Sequence, residues 1–114
     1  MGACKALVVI FLLGVIFPAD AMNVRSYREL LANSPESAEN YIVGVFQGIH
    51  WANSFNILDG GNPLYCPPGK LVMNTGNIKR IVDDELSIAP DVYTNISPIE
   101  AVLYKGLQRT FPCR

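Results

Sequence analysis

The chain contains three cysteines, and where they stand limits the folds open to it more than any other feature. Cys66 and Cys113 are alone in the long C-terminal stretch, and a bond between them would close a loop of about 47 residues. Cys4 stands apart, inside an N-terminal segment laid out like a secretory signal peptide. There Lys5 supplies a positive charge, Ala6 to Phe17 is apolar except for Gly14, and Pro18-Ala19-Asp20-Ala21 puts small residues at the −3 and −1 positions of a cleavage site. Twelve residues of apolar run fall short of the roughly 20 that span a bilayer. That favours a removable leader, residues 1–21, over a permanent anchor. Cys4 precedes the apolar run, whereas a lipoprotein cysteine follows it, so Cys4 is expected to leave with the leader. Cys66 and Cys113 then enter an oxidising compartment, where an even pair reads as a disulfide.

Hydrophobic residues make up 50% of the chain, but the excess sits in the leader. What remains, residues 22–114, has the length and composition of one soluble domain. At that size burial is only modestly efficient, and a staple across so long a loop is worth about 4 kcal/mol in the chain-entropy model. The formal net charge is −1, and losing Lys5 with Asp20 leaves it unchanged. Lys and Arg are not clustered, so the chain lacks the footprint of a nucleic-acid binder, and no membrane association is expected after cleavage.

Prolines and glycines cut the domain into helical stretches. Tyr27, Leu30 and Leu31 share one face of a short helix over Ser26 to Ala32, ended by Asn33-Ser34-Pro35. Ser34 as N-cap, Pro35 at the first position and Glu36 in the first turn then open a long helix reaching about Leu58. On its wheel Ala38, Tyr41, Ile42, Val45, Phe46, Ile49 and Ala52 form the core face. Gly44 and Gly48, one turn apart, predict close approach by a neighbouring helix. Asp59-Gly60-Gly61-Asn62-Pro63 stops the helix, and the turn-rich loop runs on through Tyr65-Cys66-Pro67-Pro68-Gly69. A third helix is expected from an Asn74 or Thr75 cap to Ile88, with Ile78, Ile81, Val82 and Leu86 on one face. Ser97-Pro98-Ile99-Glu100 reads as a capping box opening a fourth, which reaches Arg109. No stretch alternates like a strand. The fold class is therefore all-α: a small four-helix domain with one disulfide, after a signal peptide.

The inventory for catalysis is thin. His50, the sole histidine, reads as a surface or interface residue beside Trp51. No ligand set has metal spacing, no cofactor is expected, and bridged cysteines offer no thiolate. Asp83-Asp84-Glu85 reads as a solvated face, since neighbouring helical residues point about 100° apart. Gly60-Gly61 lacks the spacing of a phosphate loop. No enzymatic activity is expected. Trp51 and Phe55 lie off the core face of the long helix, and large aromatics there serve either a partner or a second covered side of the domain. For Phe55 the covered side is the favoured reading; for Trp51 the two stand level.

Leu30-Leu31, Tyr41-Ile42-Val43-Gly44, Tyr65-Cys66-Pro67-Pro68-Gly69, a helix ending Leu86-Ser87-Ile88-Ala89-Pro90, and Leu107 followed by Phe111-Pro112-Cys113 together resemble the Rap/Tai family. These are resistance-associated and type VI secretion amidase immunity proteins of Gram-negative bacteria. The resemblance spans nearly all of residues 22–114. It implies a periplasmic helical protein that binds and blocks an injected effector toxin, a peptidoglycan amidase, and that is often a homodimer. Cys66 and Cys113 match the family's disulfide cysteines. A second cysteine pair carried by many members is replaced here in the Ala32-Asn33 and Glu39-Asn40 regions, as loss of one bridge would leave it.

The expected function is thus inhibition by obstruction, with Trp51, Asp59, Asn62 and Tyr65 as partner-binding residues. The alternative is a small periplasmic stress protein or acid chaperone with no toxin partner, which would loosen below about pH 4 as carboxylates protonate.

Overall fold

The computed structural model describes residues 21–114. The leader expected over 1–21 lies, except for Ala21, outside the described residues. Four helices follow: α1 Val24–Asn33, α2 Pro35–Leu58, α3 Thr75–Ile88 and α4 Ile99–Thr110. Among the described residues there is no strand, only an isolated antiparallel bridge between Asn23 and Pro98. The fold class is all-α with one disulfide, as expected.

Local chemistry sets the helix ends. Asn23 caps α1, its Oδ1 accepting from the Ser26 amide at 2.8 Å, so the helix starts before Ser26. Asn74 repeats the device on α3, accepting from the Asn77 amide at 2.8 Å. Ser34 holds the cap position of α2 with Pro35 at its start, but its hydroxyl bonds Ser37 Oγ at 2.9 Å and not the backbone. The capping box expected on α4 is corrected in the same way. Pro98 is the cap residue, and the Ser97 hydroxyl instead accepts from the Thr94 amide at 2.9 Å, closing the preceding turn. Glu100 turns away to accept the hydroxyl of Tyr41.

The helices share one core. Val24 and Tyr27 enter it from α1, Ala38, Ile42 and Phe46 from α2, Ile78, Ile81 and Val82 from α3, and Ile99, Val102, Leu103 and Leu107 from α4. Each large aliphatic chain fully removed from water contributes roughly 1.5 to 3 kcal/mol. The core face of α2 is the expected one from Ala38 through Ile49, and departs from it only in the next turn, where Ala52 is exposed and Asn53 is 4% exposed. Asn53 can face inward because both ends of its amide are bonded, Nδ2 donating to the Tyr65 carbonyl at 3.0 Å and Oδ1 accepting from the Leu64 amide at 2.6 Å.

The close helix approach is also elsewhere than expected. A Cβ on Gly44 or Gly48 would meet nothing within 4 Å, whereas one on Gly106 of α4 would sit 2.7 Å from Ile81 Cγ2 and 3.1 Å from the Ile81 carbonyl oxygen of α3. Gly106 lets α3 and α4, the most extensive helix pair, come together. Opposite mutational signs follow. G106A loses about 1 to 2 kcal/mol by overpacking, while G44A and G48A each gain up to about 1 kcal/mol of helix propensity. Urea titration of the three variants checks both signs.

Candidate functional site

The loop between α2 and α3 is fixed at several points. Asn53 holds Leu64 and Tyr65 from one side. From the other, Gln108 Nε2 donates to the Leu64 carbonyl at 3.2 Å and the Phe111 carbonyl accepts from the Cys66 amide at 2.9 Å. Cys66 and Cys113 are bonded, Cα to Cα 5.0 Å, across a sequence separation of 47. The expected staple between mid-chain turn and tail is present.

This anchoring sets one wall of a cleft of about 420 Å³ between the loop and α2. His50 and Trp51 line it from the helix, and Tyr65, Pro67, Pro68 and Leu71 from the loop. A run of rings leads out of the core along α2. Phe46 stacks on His50 with centroids 5.7 Å apart, His50 meets the edge of Trp51 at 5.9 Å, and Trp51 lies 5.9 Å from Phe55. Phe46 is buried, but Trp51 is 56% and Phe55 58% exposed. Phe55 is therefore not covered by its own domain, against expectation. Leu58 and Ile57 extend the exposed apolar surface to the end of α2.

Trp51 and Tyr65, two of the residues expected to bind a partner, meet in this cleft, but in different roles. Trp51 is open to solvent. Tyr65 is 2% exposed, packed 6.4 Å from the Phe111 ring, with its hydroxyl 3.3 Å from His50 Nδ1. Burial pushes its phenol up from its ordinary value of 10.0. Tyr65 is thus corrected from a free contact to a buried support beneath the cleft, since the Asn53 bond draws its backbone onto α2. Asp59 and Asn62 are exposed but do not line the cleft. They sit at the turn where Gly60 adopts φ +82, the left-handed conformation that glycine reaches without strain, and the Asn62 carbonyl accepts from Asn56 Nδ2. His50 is half-buried between Phe46 and Trp51 and lines the cleft, at the surface but partly covered by its neighbours.

Pro67, Pro68 and Leu71 were missed as cleft residues. The signal was the apolar Leu71-Val72-Met73, one residue after Pro67-Pro68-Gly69, of which Leu71 and Met73 line the cleft while Val72 stays exposed. A second cleft, of about 480 Å³ and lined by Arg28, Leu86, Pro90, Tyr93 and Asn95 among others, lacks exposed aromatics. The first is the stronger candidate because a buried interface core takes large apolar side chains.

The acidic run on α3 is divided. Asp84 is exposed and Asp83 pairs with Lys79 at 3.1 Å, but Glu85 is 2% exposed and not part of a solvated face. Arg109 Nε donates to its Oε2 at 2.7 Å and Tyr93 Oη to its Oε1 at 2.7 Å. The Arg109 bond holds the Glu85 carboxyl below its ordinary value of 4.5 despite burial, with Tyr93 adding to the effect. Burial and the Glu85 bond push Tyr93 up to about 12.

Among the described residues no group of three His, Cys, Asp or Glu side chains could hold a metal, and no helix is long and apolar enough to cross a membrane. Protein-family models, curated proteins and solved structures yield no match to this chain.

Proposed function

We propose that this chain is an exported, non-enzymatic inhibitor of the Rap/Tai kind, acting in the periplasm as an immunity protein that obstructs a peptidoglycan amidase delivered by type VI secretion. The observation that carries the reading is the exposed Trp51–Phe55 face beside a cleft whose far wall is pinned by the Cys66–Cys113 bond. An obstructing protein needs no titrating group. It needs a surface whose shape is set before binding, because ordering side chains and loops on contact costs affinity. Trp51 is the residue of the type that dominates such contacts, and the resemblance of the Tyr65-Cys66-Pro67-Pro68-Gly69 and Phe111-Pro112-Cys113 segments supplies the partner class.

The test is co-purification of residues 22–114 with the product of the adjacent gene. A stable complex that inhibits peptidoglycan cleavage is expected. W51A should weaken it by about 2 kcal/mol, roughly thirtyfold in Kd, with an unchanged thermal melt because Trp51 is mostly exposed. A complex indifferent to W51A would move the contact off this face, and absence of any complex would remove the inhibitor reading. The acid-chaperone alternative gives a different result, namely dye binding to newly exposed apolar surface below about pH 4 with no toxin needed.

A further inference from the structure

We propose that the chain is cut between Ala21 and Met22, and that the α-ammonium group so released is received by a prepared acceptor formed by Tyr41 and Glu100. Water and a leader-type peptidase supply the step. The Ala21 carbonyl carbon takes the water oxygen and becomes a carboxylate, the C–N bond breaks, and the Met22 nitrogen leaves as –NH3+.

The acceptor is built from two helices. Met22 is half-buried, and its backbone nitrogen donates to Tyr41 Oη of α2 at 3.2 Å. Tyr41 in turn donates to Glu100 Oε1 of α4. The other carboxylate oxygen, Glu100 Oε2, is buried without a hydrogen-bond partner. Backbone contacts hold Met22 in this place. Its carbonyl accepts from the Ile99 amide at 2.9 Å, Asn23 bridges Pro98, and the Val24 amide donates to the Ser97 carbonyl at 2.9 Å. Residues 22–24 therefore run antiparallel to 97–99, and the Met22 nitrogen is held beside the first turn of α4.

A peptide nitrogen at position 22 has one hydrogen, already given to Tyr41, and no charge. An ammonium has three hydrogens and a positive charge, which leaves two donors for a carboxylate that otherwise buries an unpaired oxygen. Charge-assisted hydrogen bonds are roughly twice as strong as neutral ones, and an unpaired buried acceptor is costly. Two independent observations meet at one bond. The Ala19-x-Ala21 spacing marks it from the sequence, and the orphaned Glu100 oxygen marks its product side from the structure. This inference rests on the export half of the proposed function and is indifferent to which toxin is bound.

The test compares a chain that begins at Met22 with one that keeps Ala21 as its first residue, each in wild-type and E100Q form. The Met22 chain should melt roughly 4 to 8 °C higher, and E100Q should close that gap. Equal melting temperatures, or a gap that survives E100Q, would overturn the proposal. Should E100Q fail to fold, labelling of the α-amine at pH 7 decides in the wild-type background. A rate at least about tenfold lower in the Met22 chain supports capture, and equal rates refute it. The mass of exported full-length protein should correspond to a chain starting at Met22; any other first residue refutes the cut. Toxin binding is measured separately, so failure here leaves the inhibitor reading untouched.

Discussion

Replacing Cys66 and Cys113 together by serine should cost about 4 kcal/mol at 25 °C, the loop-closure entropy of a 47-residue separation. Domains of this size have only about 5 to 15 kcal/mol of stability in all. The variant should therefore melt at least about 15 °C lower and unfold at markedly lower urea. Wild-type protein treated with reductant should follow the same curve. The damage should also be uneven. Trp51 and Phe55 stay on α2 whatever happens to the loop, whereas Pro67, Pro68 and Leu71 are left with only the hydrogen bonds that Asn53, Gln108 and Phe111 make to residues 64–66, so the cleft should open before the helices melt. Hydrogen exchange would show this as lost protection over residues 64–73 with α3 and α4 still protected. A reductant-insensitive denaturation midpoint would remove the staple from any account of this fold.

Loss of the Glu85 charge should be the second large effect, and it should depend on pH. In E85Q the shape survives, but the charged acceptor for Arg109 and Tyr93 is gone. Hydrogen bonds to a charged acceptor are worth about 1.5 to 3 kcal/mol, and with Arg109 half-exposed and screened by solvent E85Q should lose about 1.5 to 2 kcal/mol at pH 7. The Glu85 carboxyl is held below its ordinary value of 4.5 in the folded protein. A depressed carboxyl adds stability that is complete above the unfolded value and disappears as pH falls through the folded one. The gap between wild type and E85Q should therefore be full at pH 6 and 7, narrow below 4.5, and close once the native carboxyl is itself protonated. Urea midpoints across that range measure it. A gap that stays constant down to pH 3 would mean that Glu85 acts through packing and not through its charge.

The parts of this fold that could be read from the chain are those set by neighbours in sequence. Pro35 and the Asp59-Gly60 turn bound α2, and Asn74 caps α3, because these residues act within a turn of where they stand. Residues satisfied from far away were misread. Glu85 falls one turn beyond Ile78, Ile81 and Val82 on the same face, so its inward position was written in the spacing, but its partner Arg109 is 24 residues off. Asn53 was likewise polar by type and buried by circumstance, bonded to backbone 11 and 12 residues away. The glycines were read backwards for the same reason. Helical spacing drew notice to Gly44 and Gly48, while the close approach belongs to Gly106, whose neighbour Ile81 lies on another helix. For the candidate site, Trp51 stood out as a large aromatic off the core face. The cleft beside it did not, since it exists only once Asn53, Gln108 and the tail have placed the loop.

The hydrogen bonds around Cys66 bear on the order in which the domain matures. Asn53 seats Leu64 and Tyr65, Gln108 reaches the Leu64 carbonyl, and the Cys66 amide meets the Phe111 carbonyl two residues before Cys113. None of these contacts involves sulfur, yet together they hold the two thiols as neighbours and so raise their effective concentration for one another. Oxidation is then the final event, a latch closing on a docked tail. The bond fastens a tail that these contacts already dock, and does not choose the shape the domain takes.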